Sequence, residues 1–142
     1  MKPDLIFNDL FLWRLLAALA LIAAGLLAYR LVNYLVLARA RGRFAAFETA
    51  SLGMPVLLYF TTPTCAPCKT VQRPAIQRLQ EQVGARLQVI EVDAAASPEV
   101  ASQWGVLSVP TTFVIDSNGR PRHVNLGVAS AEKLLDQFAE IA

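Results

Sequence analysis

Hydrophobic residues are distributed unevenly along the chain, and the first forty positions contain the longest apolar stretch. Residues 15–29 carry no charge, and Arg14 and Arg30 are the only charged residues between positions 10 and 38. A bilayer core of ~30 Å needs about 20 apolar residues in a helix. The run reaches that length if Arg14 and Arg30 extend their charged ends towards the lipid head groups. We therefore predict one transmembrane helix at residues 10–38, preceded by a tail at residues 1–9.

A cleaved signal peptide is the alternative interpretation of the same stretch. Ala38-Arg39-Ala40 offers a cleavage site of the A-x-A type. The apolar stretch is, however, longer than the ~7–15 residues that are usual for the apolar part of a signal peptide. Its length therefore favours a retained helix.

Beyond residue 53 the pattern changes to short apolar segments that are separated by turn residues. Residues 55–60 form a continuous apolar run, which is typical of a buried strand, whereas residues 87–92 alternate between apolar and polar. Ser97 and Ser130 stand where helix caps are expected. The predicted strands are residues 55–60, 87–92, 111–115 and 120–126.

The order of these elements predicts an α/β fold. The first two strands are joined by a helix and should be parallel, whereas the turn at residues 116–119 should make the last two antiparallel. The result is a four-stranded mixed sheet flanked by helices, at residues 55–142. Residues 39–54 are predicted to form a linker or a short helix that follows the apolar segment.

Charge is also divided between two parts of the chain, whose total is +2. Residues 1–43 contain six basic and two acidic side chains, a net charge of +4, and residues 44–142 contain seven basic and nine acidic ones, a net charge of −2. The positive part suits lipid head groups. The mild acidity of the predicted domain argues against a nucleic-acid-binding surface.

The positive side chains around the predicted span indicate its orientation. Lys2 and Arg14 precede residues 15–29. The basic residues that follow residues 15–29 are Arg30, Arg39, Arg41 and Arg43. Lys and Arg concentrate on the cytoplasmic side of a span. Two basic residues precede the span and four follow it, so we predict that the globular domain lies in the cytoplasm. An extracytoplasmic domain is the alternative.

The chain has two cysteines, and they form the segment Cys65-Ala66-Pro67-Cys68 between a predicted strand and a predicted helix. A helix N-terminus carries partial positive charge and unpaired N–H groups, which favour a thiolate over a thiol. A separation of three on a helical turn brings the two Cα atoms to ~5–6 Å, within range for a disulfide. We expect Cys65 to be the exposed nucleophile and Cys68 the more buried thiol that resolves the mixed disulfide.

A metal site is the first rival to this redox interpretation. Zinc usually requires four ligands, and His123 is the only histidine that could join the cysteines. Haem attachment requires a histidine directly after the second cysteine, where Lys69 stands. The prediction is therefore thiol–disulfide exchange with no metal and no cofactor.

The segments FTTPTCAPCK and WGVLSVPTTFVI resemble the two signature segments of the thioredoxin family, and the resemblance covers residues 55–142. It implies a minimal thioredoxin fold, with Pro110 as a cis-proline beside the cysteine pair. It also implies that Val109 is the platform on which an extended substrate segment pairs. We place Thr64 and Pro67 on the same substrate-binding surface.

The chain departs from the family pattern at three positions near the cysteines. Thr64 replaces the usual tryptophan, and Tyr59 stands on or near the place of a buried acid that accepts the proton of the second cysteine. Pro74 follows the second cysteine by six positions instead of five, which predicts an extra residue or a bulge in the helix. We expect these changes to affect rate and redox potential more than the fold.

The sequence as a whole predicts a single-pass membrane protein whose thioredoxin-like domain reduces disulfides in protein partners. The Ala-Pro dipeptide between the cysteines resembles the Gly-Pro of reductases, which favours reduction over oxidation. The alternative is an accessory subunit of a membrane protein complex, with little or no redox turnover.

Overall fold

The computed structural model describes the backbone of residues 3–40 and 53–142. Residues 1–2 of the predicted tail and residues 41–52 of the predicted linker lie outside the described residues. The chain divides into two compact units between Tyr34 and Leu35. The elements are α1 (Pro3–Ala40), β1 (Val56–Thr61), the π turn (a π-helical turn, Cys68–Gln72), α2 (Arg73–Val83), a 3-10 turn (Gly84–Arg86), β2 (Gln88–Asp93), α3 (Pro98–Gln103), β3 (Thr111–Ile115), β4 (Pro121–Leu126) and α4 (Ala131–Ala139).

Helix α1 contains a segment, Phe11–Ala38, that is long and apolar enough to cross a membrane. At a rise of 1.5 Å per residue this segment extends about 42 Å, against a hydrocarbon core of ~30 Å. Large apolar side chains on it, such as Leu21 and Leu27, are exposed. A signal sequence near the N-terminus has the same character, so this helix fits either a membrane span or a signal sequence.

The four strands form one sheet in the order β2-β1-β3-β4. Strands β1 and β2 are parallel, as expected for strands joined by a helix, and β3 is antiparallel to both β1 and β4. This mixed sheet confirms the predicted α/β fold. Strands β1 and β3 lie in the middle of the sheet and are buried along their whole length, which explains the apolar run in β1.

Alternate residues of β1 point to opposite faces of the sheet and enter two different apolar clusters. Phe60 lies in one cluster with Trp104 and Phe113, whose rings meet edge to face with centroids 5.1 Å apart. Tyr59 lies in the other cluster, which includes Cys68. The residues that α2 and α4 contribute to this second cluster are Ile76, Leu79, Val83, Leu134 and Phe138. Full burial of one such large side chain stabilises the fold by about 1.5–3 kcal/mol.

Three of the four strands differ by one residue from the prediction: β1 and β2 begin and end one residue later, and β4 begins one residue later. Strand β1 continues to Thr61 because the carbonyl of Thr61 accepts a hydrogen bond from the Ala94 N–H at 2.8 Å. Strand β4 begins at Pro121 because the Asp116 carboxylate accepts the Arg120 N–H at 2.9 Å and keeps residue 120 in the turn.

The last helix begins as predicted. The Ser130 hydroxyl accepts a hydrogen bond from the Lys133 N–H at 3.3 Å and so caps α4. Helix α3 begins at Pro98, also as predicted, although the side chain of Ser97 makes no capping hydrogen bond.

Candidate functional site

The cysteine pair lies where β1 leads into a helix. Strand β1 ends at Thr61, and helical backbone begins at residue 66. A disulfide joins Cys65 to Cys68, and their Cα atoms are 5.3 Å apart, within the range predicted from their spacing. A central strand and a helix N-terminus therefore hold the pair in place.

The two cysteines have unequal surroundings. Cys68 is completely buried, whereas Cys65 is partly exposed, as the sequence predicted. The backbone N–H of Cys68 donates a hydrogen bond to the Cys65 sulfur at 3.2 Å. Because this N–H lies in the first helical turn, it would also stabilise negative charge on Cys65 when the disulfide is open.

The segment directly before β3 consists of Val109 and Pro110, which are here called the wall. The Val109–Pro110 peptide bond is cis, as the resemblance implied. Val109 is half-buried and packs on the cluster that contains Cys68. The carbonyl of Pro110 accepts the Gly127 N–H at 2.9 Å, which ties this wall to the loop between β4 and α4. Val109 thus packs on the same buried cluster as the pair, and Pro110 follows it directly in the chain.

Thr64 and Pro67, the two other predicted substrate-binding residues, are exposed next to the cysteines. An open groove of about 510 Å³ has Val109 in its lining. It is lined largely by small and apolar residues of the segment after β2, of α3 and of the segment before Pro110, such as Ala94, Pro98 and Leu107. Leu107 is 87% exposed.

Tyr59 contacts the second cysteine through a buried hydrogen bond. Its hydroxyl donates to the carbonyl oxygen of Cys68 at 3.2 Å. Burial raises the pKa of the Tyr59 hydroxyl above its usual value, an effect that a hydrogen bond involving Thr61 partly offsets. The side chain at position 59 therefore reaches the second cysteine but brings a neutral phenol instead of a carboxylate.

The π turn is the bulge that the position of Pro74 predicted. The Cys68 carbonyl accepts the backbone N–H of Arg73, five residues ahead, so the helix carries one extra residue directly after the second cysteine. The Arg73 guanidinium also contacts the carboxylate of Glu91 on β2 at 2.6 Å, and this ion pair raises the pKa of Arg73.

Sequence reasoning missed Gln72, the last residue of the π turn. Its side chain is completely buried, and its amide exchanges two hydrogen bonds with the backbone of Ala129. A buried amide in a polar stretch of helix gives no periodic signal, because a glutamine at that position would usually face solvent.

The lone histidine and Trp104 have contacts elsewhere in the domain. The Nε2 atom of His123 on β4 lies 2.9 Å from a carboxylate oxygen of Glu140. Trp104 packs in the first apolar cluster, whereas Cys68 lies in the second. Among residues whose side chains are described, no three or more His, Cys, Asp or Glu residues are grouped so that they could hold a metal ion.

Comparison with known proteins gives the same picture as the geometry. The profile of the thioredoxin family matches residues 44–140. The chain is 32% identical over 84 residues to the chloroplastic thioredoxin Y of Oryza sativa subsp. japonica, covering 59% of this chain and 49% of that protein. It is 31% identical over 98 residues to the thioredoxin of Alicyclobacillus acidocaldarius, covering 68% of this chain and 91% of that protein.

The fold also has solved counterparts. The crystal structure of a chloroplastic thioredoxin z superposes with a TM-score of 0.61 at 20% identity, over 71% of this chain and 89% of that one. This likeness concerns the fold alone. The chain spans only about half the length of the rice protein, 49%.

Proposed function

The chain belongs to the thioredoxin family of thiol–disulfide oxidoreductases, and we propose that it reduces or exchanges disulfides in protein substrates through Cys65 and Cys68. The observation that carries the proposal is the pair itself. The two cysteines are bonded at a helix N-terminus, and one is partly exposed while the other is buried.

The reaction follows from this unequal exposure. The Cys65 thiolate attacks one sulfur of a substrate disulfide, which forms a mixed disulfide and releases the first substrate thiolate. The Cys68 thiolate then attacks the Cys65 sulfur, which closes the internal disulfide and releases the second substrate thiolate. Two electrons pass from the protein dithiol to the substrate, and an external thiol reductant must restore the dithiol.

The substrate would approach along the wall formed by Val109 and Pro110, with Thr64 and Pro67 on the opposite rim. An extended segment could pair with the backbone at Val109, which is the mode of recognition that adds a strand to an exposed edge. The apolar groove that has Val109 in its lining supports this orientation, since it continues the same surface.

Tethering to a membrane is part of the proposal. The length, the composition and the exposed apolar side chains of Phe11–Ala38 support a retained span. The greater number of basic residues after the span supports a cytoplasmic domain. A reducing cytoplasm would keep the pair as a dithiol, which agrees with a reductase.

The test is reduction of insulin disulfides by the full chain in detergent, with dithiothreitol as electron donor. We expect the wild-type chain to accelerate precipitation of the insulin B chain above the rate with dithiothreitol alone. Cys65→Ser is the control and should give only the background rate. A wild-type rate equal to that of Cys65→Ser would contradict the proposal and favour the accessory-subunit alternative.

A further inference from the structure

Gln72 makes an arrangement that an ordinary helical glutamine does not make. Its Nε2 donates to the Ala129 carbonyl at 3.2 Å, and its Oε1 accepts the Ala129 N–H at 2.8 Å. The side chain is completely buried. One amide thus pairs with the backbone of a residue 57 positions away in the same way as a neighbouring strand would.

The position of this contact links three segments around the disulfide. Gln72 ends the π turn that Cys68 begins. Ala129 lies in the loop between β4 and α4 and belongs to the same buried cluster as Cys68. The same loop is held to the wall beside the pair, because the Gly127 N–H donates to the Pro110 carbonyl at 2.9 Å.

The two hydrogen bonds between Gln72 and Ala129, here called the clamp, hold the end of the π turn in place. A π-helical turn is less regular than the α-helix on either side and is held by fewer standard hydrogen bonds. Within it, the Cys68 carbonyl is fixed at one end by Tyr59 and the side chain of Gln72 is fixed at the other. A buried amide that loses its partners carries its full desolvation cost, so this contact strongly favours one position of the turn.

We propose that Gln72 is a positioning residue of the redox pair, which keeps Cys68 within reach of the Cys65 sulfur whenever the disulfide is open. This inference rests on the proposed function. Closure of the internal disulfide depends on the effective concentration of Cys68 at Cys65, and a looser π turn lowers that concentration. Gln72 therefore acts through Cys68 and touches no substrate.

The experiment measures the equilibrium between the dithiol and the internal disulfide in glutathione buffers, using the full chain in detergent. In Gln72→Met, a side chain of similar shape removes both hydrogen bonds. We expect the equilibrium constant for disulfide formation to fall roughly fivefold, about the effect of one net hydrogen bond. The lifetime of the glutathione mixed disulfide on Cys65 should lengthen in proportion, because closure by Cys68 is slower.

The chain offers a matched control at Gln137. This glutamine also exchanges two side-chain hydrogen bonds, at 2.9 and 3.0 Å, with Asn125, and it ties α4 to β4 instead of the π turn. Gln137→Met should lower stability while the redox equilibrium stays within about twofold of wild type. This separates a positioning role from a general loss of stability.

The outcomes are distinguishable. Equal shifts in Gln72→Met and Gln137→Met, or no shift in either, would overturn the positioning role alone. A wild-type pair that does not exchange with glutathione would overturn the proposed function and this inference with it. If Met at position 72 prevents folding, Gln72→Asn keeps an amide that is one methylene shorter, and the same direction of change is expected.

Discussion

Cys65 and Cys68 are the same residue type, and the different roles proposed for them rest on their surroundings alone. Cys65 is partly exposed and its sulfur accepts an N–H from the first helical turn, whereas Cys68 is closed off from solvent. Of the two residues, only Cys65 is open to solvent. The proposed division of labour between the two cysteines therefore rests on exposure and helix position.

The first prediction tests this division with two serine variants. Cys68→Ser should accumulate mixed disulfides through Cys65, because the thiol that releases the substrate is absent. Cys65→Ser should trap almost nothing. Cells that express each variant are treated with acid to stop thiol exchange. The mixed disulfides are then measured by non-reducing electrophoresis. Equal trapping by the two variants, or faster alkylation of Cys68 than of Cys65 at neutral pH, would contradict the assignment.

Tyr59 shows how one substitution changes the chemistry beneath the pair. The phenol donates to the Cys68 carbonyl and stays neutral, so it positions the turn but offers no carboxylate to accept a proton. Burial raises its pKa above the usual value. A raised pKa in the folded state means that the contribution to stability is complete below the unfolded pKa of ~10 and is lost as the pH rises through the folded pKa.

The second prediction uses Tyr59→Phe and the oxidised full chain in detergent. At pH 8 the free energy of unfolding should fall by about 1 kcal/mol, since one buried hydrogen bond is lost. Above pH ~10 the wild type should lose stability more steeply than the variant, because only the wild type has this phenol to ionise on unfolding. Denaturant unfolding at pH 8 and at a pH between ~10 and 11 tests both effects. An equal loss of stability with pH in the wild type and in the variant would contradict a raised pKa of Tyr59.

At the scale of elements, the helix after the cysteines is the part that departs most from regular geometry. It begins as a single turn, widens into the π turn at Cys68–Gln72 and continues as α2 from Arg73. Val71 lies in the widened turn with half of its surface exposed, 49%. The π turn therefore accommodates one extra residue, while Cys68 at its start and the apolar face of α2 after it are both buried.

The third prediction is that the extra residue can be removed. Deletion of Val71 should restore an α-helical count between Cys68 and Pro74 while Gln72 keeps its place against Ala129. We expect the free energy of unfolding to change by less than about 1 kcal/mol, because an exposed residue is lost and regular hydrogen bonds are regained. Thermal or denaturant unfolding measures this. Deletion of Ile76, which is buried in α2, is the destabilising control.

If the Val71 deletion were as destabilising as the Ile76 deletion, the widened turn would be required by the fold. It would then not be a tolerated insertion. The redox equilibrium of the Val71 deletion provides a second readout. It should stay near that of wild type, because the clamp of Gln72 on Ala129 is retained.

At the scale of the whole molecule, the chain combines an apolar helix with a mildly acidic domain. Residues 1–43 carry a net charge of +4 and residues 44–142 carry −2. For the proposed membrane span, the positive charge that follows the apolar run favours an orientation with the domain on the cytoplasmic side. In that proposal the side of the membrane decides which thiol pool meets Cys65, and hence the direction of exchange.

The fourth prediction concerns this orientation. Cells that express Cys68→Ala are reduced briefly with a permeant thiol, washed, and treated with a membrane-impermeant maleimide before and after lysis. We expect Cys65 to be labelled only after lysis. Labelling in intact cells whose outer barrier admits the reagent would place the domain outside the cytoplasm. A variant that lacks both cysteines is the control for non-specific labelling.

The fold was largely predictable because its strands have local signals. The apolar run at residues 55–60, the turn at residues 116–119 and the cap at Ser130 each act within a few positions, and all three are present in the structure. The π turn was also predictable, because the count between Cys68 and Pro74 exceeds the family spacing by one. These features depend on neighbours in the sequence.

The contacts that complete the site were not predictable in this way. The hydroxyl of Tyr59 on the Cys68 carbonyl and the ion pair of Arg73 with Glu91 join residues on different elements. Gln72 is the clearest case, because its buried amide is hydrogen-bonded to the distant loop at Ala129. Nothing within several positions of Gln72 distinguishes it from a solvent-facing glutamine.

The elements, their order, the apolar helix and the cysteine pair could be read from the sequence, since each depends on spacing along the chain. The position of β1 between β2 and β3, the burial of particular polar side chains and the contacts that hold the π turn in place became known only from the packed fold. The physical reason is that burial and hydrogen bonding between distant residues exist only after the sheet and helices pack. A side chain has no fixed partner until that packing removes it from water.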